Sequence, residues 1–310
     1  MARALESVDD VLISQLDSIC PPEERRMLVF GGGKMAIALV EGIVKEGLFL
    51  KKNIFISNRT TASSQIWKDL GYENAFINNQ EMTEACWSQD PKFWVVLIAV
   101  KPQTRFTLFD QLKDDMSFDR ITRSFVDGQL LFVSILAGVD TQSMRSEYST
   151  SLFFNGPILR VNPNVASAYG SGTTLICSDS TTPKKFVDIG KEIFSSVGIV
   201  KEIPENVFDA ACAISGSGPA FIFTIIEALA DGGVAAGLSR EIATELASSM
   251  VRGSGDLVLK SKETPGKLKA DVCSPGGTTI AGIRQLEKSG VRSAFLEAVL
   301  ASTLRAKELR

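Results

Sequence analysis

Apolar and polar positions follow two regimes along the chain. From Met27 to about residue 200, short apolar runs alternate with segments whose apolar residues recur at helical spacing. "MLVFGG" (27–32) reads as a strand, and the stretch 34–46 places Met35, Ala38, Leu39, Gly42 and Ile43 on one helical face. "NIFIS" (53–57), "ENAFIN" (73–78) and "FWVVLIAV" (93–100) predict the next three strands, and "LLFVSI" (130–135), "ILRV" (158–161) and "TTLICS" (173–178) continue the series. The run at 93–100 has the β-branched content of a strand buried on both faces. Alternation of this kind predicts a parallel sheet covered by helices on both sides. The stretch 114–129 is polar and irregular, and is expected to be a loop inserted at the sheet edge.

Beyond "VGIV" (197–200) the strand signal nearly disappears, and 205–310 carries long helical patterns. "AFIFTIIEALADGGVAAGL" (220–238) is apolar almost all round, as a helix buried in a core or a subunit interface would be. The predicted organisation is an extension over 1–26, an α/β domain over 27–203 and an all-helical domain over 204–310. Within the extension Val8, Val11, Leu12, Leu16 and Ile19 predict an amphipathic helix.

Composition narrows the function. The 310 residues are 45% hydrophobic and 22% charged, as in an ordinary globular chain. A net charge of −3 without any dense basic block removes the electrostatic case for nucleic acid. No apolar run reaches the ~18 residues of a bilayer span, so no membrane association is expected. Five scattered cysteines without a CxxC, in a chain with no histidine, argue for reduced thiols in a cytoplasmic setting and against a metal site. The first 26 residues hold six acids and three arginines, unlike an Arg-rich transit peptide.

"FGGGKMA" (30–36) stands directly between the first strand and the first helix and reads Gly31-x-Gly33-x-x-Ala36. Gly31 permits a tight turn, Gly33 lets the backbone approach a pyrophosphate, and small Ala36 lets the helix pack close to the strand. Lys34 and Met35 open that helix, whose free N–H groups and positive dipole end attract phosphates. This is the arrangement of a Rossmann-type, doubly wound dinucleotide domain. The second strand ends in "SNRTT" (57–61), without the acid that usually holds an NAD ribose. Ser57 and Asn58 offer hydrogen bonds and Arg59 a planar cation for a 2′-phosphate, which favours NADPH over NADH as the cofactor, with NADH still accommodated. The other reading is a polar loop with one solvated arginine. "AVKPQ" (99–103) ends the fourth strand, where Ala99, Val100, Lys101 and Pro102 would line the nicotinamide half of the cleft. Alternatively Pro102 only stops the strand and Lys101 is solvated; sequence alone does not separate the two.

The helical part contains "ISGSGPAFIF" (214–223), "ALADGGV" (228–234), "PGKLK" (265–269) and "SPGGTTIAGIRQLE" (274–287). With "FGGGKMA", "SNRT", "AVKPQ" and "LAGV" (136–139), these resemble the Δ1-pyrroline-5-carboxylate reductases from about Met27 to the C-terminus. The resemblance implies NAD(P)H-dependent reduction of a cyclic imine, 1-pyrroline-5-carboxylate, to L-proline. It also implies that the helical domain is a dimerisation domain, with homodimers often assembled into decamers. By position, Ser274, Gly277, Thr278 and Thr279 would form the substrate loop, with Thr279 the catalytic residue facing the imine nitrogen. Many relatives carry Met-Pro-Asn-Thr-Pro where this chain reads "NPNVA" (162–166), so Asn164 is kept while Val165 and Ala166 alter the loop.

Such a substrate needs an anion receptor and a hydride path. N–H groups of residues 277–279 at a helix N-terminus, with the Ser274 hydroxyl, can bind its carboxylate. By loop shape alone, a Ser or Thr capping its own helix is the simpler reading. In a chain without histidine, a Thr hydroxyl is too weak an acid for ordinary general acid catalysis near neutrality. Thr279 is therefore assigned a polarising hydrogen bond to the nitrogen, with the proton either relayed from water through it or already carried by the substrate. Cys273 has no adjacent base and imine reduction needs no covalent intermediate. Glu227 and Asp231, four apart, are too few for a metal site. The competing functions are a β-hydroxyacid dehydrogenase, a reductase of a related cyclic imine and a non-catalytic NADP sensor. The first needs a lysine that 217–237 lacks, and the sensor would have lost the "SPGGTTIAG" loop.

Overall fold

The computed structural model describes residues 14–87, 91–123 and 129–308. The chain divides into two compact units, Met1–Gly216 with Ala306–Arg310, and Ser217–Arg305. In the first, eight strands form one sheet: β1 (Arg25–Phe30), β2 (Ile54–Ser57), β3 (Ala75–Phe76), β4 (Phe93–Ile98), β5 (Leu130–Ser134), β6 (Ile158–Asn162), β7 (Gly172–Ser178) and β8 (Gly198–Glu202). Their spatial order is β3-β2-β1-β4-β5-β6-β7-β8, so the order reverses between β1 and β4.

Both faces of the central strands are buried, which explains their nearly continuous apolar sequence. Met27 and Val29 of β1 and Phe93, Val95 and Leu97 of β4 face one core layer. There they meet helices α1 (Lys34–Lys45), α2 (Thr61–Asp69) and α7 (Lys184–Ser195) through Leu39, Trp67 and Ile193. Leu28, Phe30, Trp94, Val96 and Ile98 face the other layer. That layer is closed by α3 (Asn79–Trp87), α4 (Arg105–Lys113), α5 (Met116–Arg123) and α6 (Thr141–Leu152).

The structure departs from the sequence expectations at several points. The sheet is not wholly parallel, because β6 and β7 pair antiparallel. Only residues 163–171 join them, fewer than the dozen or so that a parallel crossover requires. The expected loop at 114–129 contains α5, whose Phe118 and Ile121 are buried. Asp115 caps it by accepting from the N–H groups of Ser117 and Phe118 at 2.9 and 3.0 Å; residues 124–128 lie outside the described residues. In the expected amino-terminal helix, residues 1–13 lie outside the described residues, and 14–24 form turns ending in a 3-10 turn at Pro22–Glu24. Two consecutive prolines end any helix there, and the fully buried Arg25 ties the segment down through the carbonyls of Cys20 and Leu48.

Helix α8 (Glu205–Cys212) packs on β7 within the first unit, so that unit runs thirteen residues past the 203/204 boundary read from sequence. The anchor is Arg160 on β6, 3% exposed, which pairs with Glu205 and with Asp209 at 3.2 Å and stacks over Phe208. A π-helical turn at Ala213–Ser217 follows. The continuous helical run Glu205–Ala235 is 31 residues long and apolar enough to cross a membrane by length and composition, which corrects the expectation that no stretch is. The π turn is what joins two shorter apolar segments into one.

The second unit contains α9 (Gly218–Ala235), α10 (Arg240–Ser261), α11 (Pro265–Asp271) and α12 (Thr278–Lys288), together with most of α13 (Val291–Glu308). Helices α9 and α10 approach closely where a Cβ on Gly233 would stand 3.1 Å from that of Ala243. Among the described residues of this unit only Ala230, Ala243 and Ala247 are buried. Large apolar side chains such as Phe223, Leu246, Leu259, Leu286 and Leu300 stay exposed on the single chain.

Candidate active site

The carboxyl ends of β1, β2 and β4 meet at the point where the strand order reverses, the usual ligand position in an open α/β sheet. The Gly31 N–H donates to the Ser57 carbonyl at 3.0 Å and the Ala99 N–H to the Phe30 carbonyl at 2.8 Å. Gly31 has φ +102°, and a Cβ there would lie 2.7 Å from the backbone of Ala99, so no side chain fits. Gly33 is the N-cap of α1 with φ −76° and ψ 178°, and no side chain caps the helix. A Cβ on Gly33 would meet nothing within 4 Å. The turn therefore offers uncapped N–H groups of Lys34 and Met35 beside open space, which fits a pyrophosphate.

The "SNRTT" residues separate into inward and outward sets. Ser57 and Asn58 are buried. The Ser57 hydroxyl donates to the Asn79 side-chain oxygen, and the Asn58 amide reaches the Phe76 carbonyl at 3.4 Å. Thr60 caps α2, accepting from the Ser63 N–H at 3.2 Å. Arg59 is exposed, two residues past the strand position paired with Phe30. At the end of β4, Ala99, Val100 and Pro102 are half-buried on the same edge and Lys101 is exposed. Asn164 is spent on the fold: its oxygen accepts from Ala166 and Thr173, each at 3.2 Å, and its amide donates to the Ser215 carbonyl at 3.0 Å. Val165–Tyr169 then forms a 3-10 turn.

The loop before α12 repeats the open design of the first turn. Gly277 is the N-cap, with φ −76° and ψ 174°, and again no side chain caps the helix. Ser274 does not serve as the cap; its hydroxyl lies where a Cβ on Gly277 would stand, 2.3 Å away. By contrast α2, α6, α10 and α11 are each capped by a Ser, Thr or Asp side chain. Gly276 turns the chain with φ +67°. Ser274, Thr278 and Thr279 are exposed, and no hydrogen bond within the fold occupies their hydroxyls among the described residues.

Other candidate groups find different uses. Asp231 pairs with Arg240 rather than with Glu227. Burial pushes the Cys212 thiol up to about 12, and burial together with Glu205 does the same to Cys177, so neither is a thiolate at neutral pH. A groove along α6, lined by Gln142, Arg145, Asn155 and Asp179 among others, holds none of the residues predicted for the site. Sequence reasoning missed Trp67, whose indole N–H donates to the Gly32 carbonyl at 3.0 Å. No spacing rule marks a tryptophan in an amphipathic helix as anything but core.

A sequence profile for pyrroline-5-carboxylate reductase dimerisation matches residues 205–309, and one for NADP oxidoreductase, coenzyme F420-dependent, matches 26–121. The chain is 38% identical over 292 residues to a putative pyrroline-5-carboxylate reductase 4 of Caenorhabditis elegans, covering 90% of this chain and 91% of the relative. It is 37% identical to the pyrroline-5-carboxylate reductase of Synechocystis, over 91% of this chain and 97% of that one. The chain belongs to the pyrroline-5-carboxylate reductase family. Among solved structures, the Coxiella burnetii pyrroline-5-carboxylate reductase superposes with a TM-score of 0.74 at 28% identity, over 92% of this chain and 98% of that one. The Plasmodium falciparum pyrroline carboxylate reductase with NADP bound superposes with a TM-score of 0.72 at 27% identity, over 92% and 97%.

Proposed function

We infer that this family member reduces 1-pyrroline-5-carboxylate to L-proline with NAD(P)H. The observation that carries the reading is the intact "SPGGTTIAGIRQLE" loop opening onto an uncapped helix N-terminus at Gly277. Its backbone N–H groups and the Ser274 hydroxyl receive the substrate carboxylate, an anion placed against a positive helix end. Thr278 completes the loop, and Thr279 donates its hydroxyl proton in a hydrogen bond to the imine nitrogen. That bond stabilises the electron pair that the C=N bond releases onto nitrogen as the adjacent carbon takes up hydride, and the nitrogen's proton comes from water or is already carried by a protonated substrate. The nicotinamide supplies the hydride when bound. Gly33, Lys34 and Met35 hold the pyrophosphate through backbone N–H groups, and Gly31, whose own N–H is taken by the Ser57 carbonyl, shapes the turn beneath it. Arg59 meets the 2′-phosphate of NADPH, with Ser57 and Asn58 bracing the strand end beneath it. Ala99, Val100, Lys101 and Pro102 border the nicotinamide side.

The apolar faces of the second unit support a homodimer as the working state, and the family resemblance extends that to a decamer. Five free cysteines fit a reducing, cytoplasmic setting. Alcohol oxidation of the β-hydroxyacid type lacks its lysine on α9.

The test mixes purified protein with pyrroline-5-carboxylate and follows NADPH, then NADH, by absorbance, with proline measured as product. Stoichiometric proline supports the reading and ranks the cofactors. Tight NADPH binding without turnover would leave the sensor as the better account. Thr279→Ala should lower kcat by roughly 10–100-fold, the scale of one hydrogen bond to a developing charge, with NADPH affinity unchanged. An unchanged kcat would remove Thr279 from the mechanism.

A further inference from the structure

The phosphate-binding turn rests on a side chain outside the glycine motif. A Cβ on Gly32, the middle glycine, would fall 2.0 Å from Asn58 Oδ1 and 2.3 Å from Trp67 Nε1. Instead of a side chain, Gly32 presents its carbonyl to the Trp67 indole N–H at 3.0 Å. Trp67 is fully buried on α2. Its ring lies edge-on to Tyr72 with centroids 5.1 Å apart, and the Tyr72 hydroxyl is in turn held by Glu41. The indole is thus fixed by the core, and the flexible partner in this hydrogen bond is the glycine backbone.

In a trans peptide the carbonyl of one residue and the N–H of the next point in opposite directions. No cis bond occurs among the described residues. Drawing the Gly32 carbonyl onto Trp67 therefore aims the Gly33 N–H away from the core. A peptide between two glycines has little steric preference of its own and would otherwise rotate. We propose that Trp67 is a positioning residue for dinucleotide binding, its indole N–H fixing the Gly32–Gly33 peptide so that the Gly33 N–H meets the cofactor pyrophosphate. This rests on the reading of the turn as the dinucleotide site. Trp67 touches no cofactor atom and acts only through that peptide. NADPH and NADH share the pyrophosphate, so both depend on Trp67 equally, whereas Arg59 serves the 2′-phosphate alone.

Trp67→Phe keeps an aromatic ring and removes the donor. Calorimetric titration well below the melting temperature should give Kd values for NADPH and NADH that both rise about tenfold, the scale of one lost buried hydrogen bond. Their ratio should hold, and kcat at saturating cofactor should stay within about twofold of wild type, since the donor acts on binding alone. A folded variant with unchanged Kd, or one impaired for NADPH only, overturns the proposal. Replacing a buried indole also costs stability, so a second reading uses the unaltered protein. With the three tryptophans labelled with nitrogen-15, the Trp67 indole resonance should shift on saturation with NADP+ while exposed Trp87 stays in place. A Trp67 signal indifferent to NADP+ overturns the proposal as well. Wild-type protein that binds neither nucleotide would overturn the dinucleotide reading itself, a result distinct from tight wild-type binding that Trp67→Phe leaves intact.

Discussion

Two glycines two residues apart should separate folding from cofactor binding. At Gly33 the backbone has φ −76° and ψ 178°, open to any residue, and a Cβ would meet nothing within 4 Å. Alanine there loses up to about 1 kcal/mol of N-cap preference and regains about 0.4–1 kcal/mol by restricting the unfolded chain. The net change in stability is within about 1 kcal/mol. At Gly31 the backbone has φ +102°, and a Cβ would press on the carbonyl carbon and oxygen of Ala99 at 2.7 Å and on the nitrogen of Val100 at 2.8 Å. These are backbone atoms of β4's end, which cannot swing aside. Strain of about 1–3 kcal/mol adds to overpacking of about 1–3 kcal/mol. At about 2–4 °C per kcal/mol for a unit of this size, Gly31→Ala should melt roughly 5–20 °C below wild type and Gly33→Ala within about 4 °C of it. The order reverses for cofactor: a methyl on Gly33 fills the space the pyrophosphate needs, and NADPH Kd should rise at least about 30-fold, or about 2 kcal/mol. Thermal melts and calorimetric titration of the two variants supply both numbers. A Gly33→Ala protein that binds NADPH like wild type would mean the pyrophosphate does not lie over this residue.

Three further outcomes follow from specific contacts. Arg59 is exposed and pairs with no acidic group among the described residues, so Arg59→Ala should fold normally and raise the KM for NADPH roughly tenfold or more, the worth of a charged hydrogen bond. The KM for NADH should barely move; equal losses for both cofactors would place Arg59 elsewhere. Arg160→Met removes the cation that pairs with the buried Asp209 carboxylate, and should cost about 3–5 kcal/mol in urea unfolding, with part recovered by adding Asp209→Leu. A loss under about 1 kcal/mol would show that this ion pair does not hold α8. Burial alone would raise the Asp179 carboxyl, but hydrogen bonds from Arg145, Thr181 and Thr182 and the Arg145 charge hold it down at about 2, against an ordinary value of 3.8. A depressed folded value means stability present above about pH 4 and lost as the pH falls toward 2. Asp179→Asn should therefore flatten the acid limb of a stability–pH curve, and an unaltered limb would assign acid sensitivity to other carboxylates.

The sheet was legible wherever burial on both faces writes itself into composition, as in β1 and β4. Strand direction leaves no such trace, so the antiparallel β6–β7 pair is visible only in the shortness of 163–171. Helix α5 escaped because it is only eight residues long and mostly polar, with Phe118 and Ile121 as its two buried apolar anchors, although Asp115 is a good capping residue. The glycine turns were readable because glycine at a strand-to-helix junction has few other uses. Whether Ser57 and Asn58 face ligand or core was not readable, since polarity at a strand end carries no direction. That Gly277 leaves its helix uncapped needed coordinates, because Ser274 and Thr278 would suit a cap equally well by sequence.

In the proposed homodimer, a second unit with only three buried alanines would make folding a matter of protein concentration. A helical layer whose large side chains face outward gains little apolar burial by itself, and in that dimer the partner face would supply the remainder. Dilution then acts on this unit as a denaturant does on an ordinary domain, and its melting temperature should climb with the logarithm of chain concentration. The sheet unit, with two closed core layers of its own, is free of that dependence. A newly made chain would thus hold a finished nucleotide platform before its substrate loop has a settled scaffold, and the onset of catalysis would follow the kinetics of pairing.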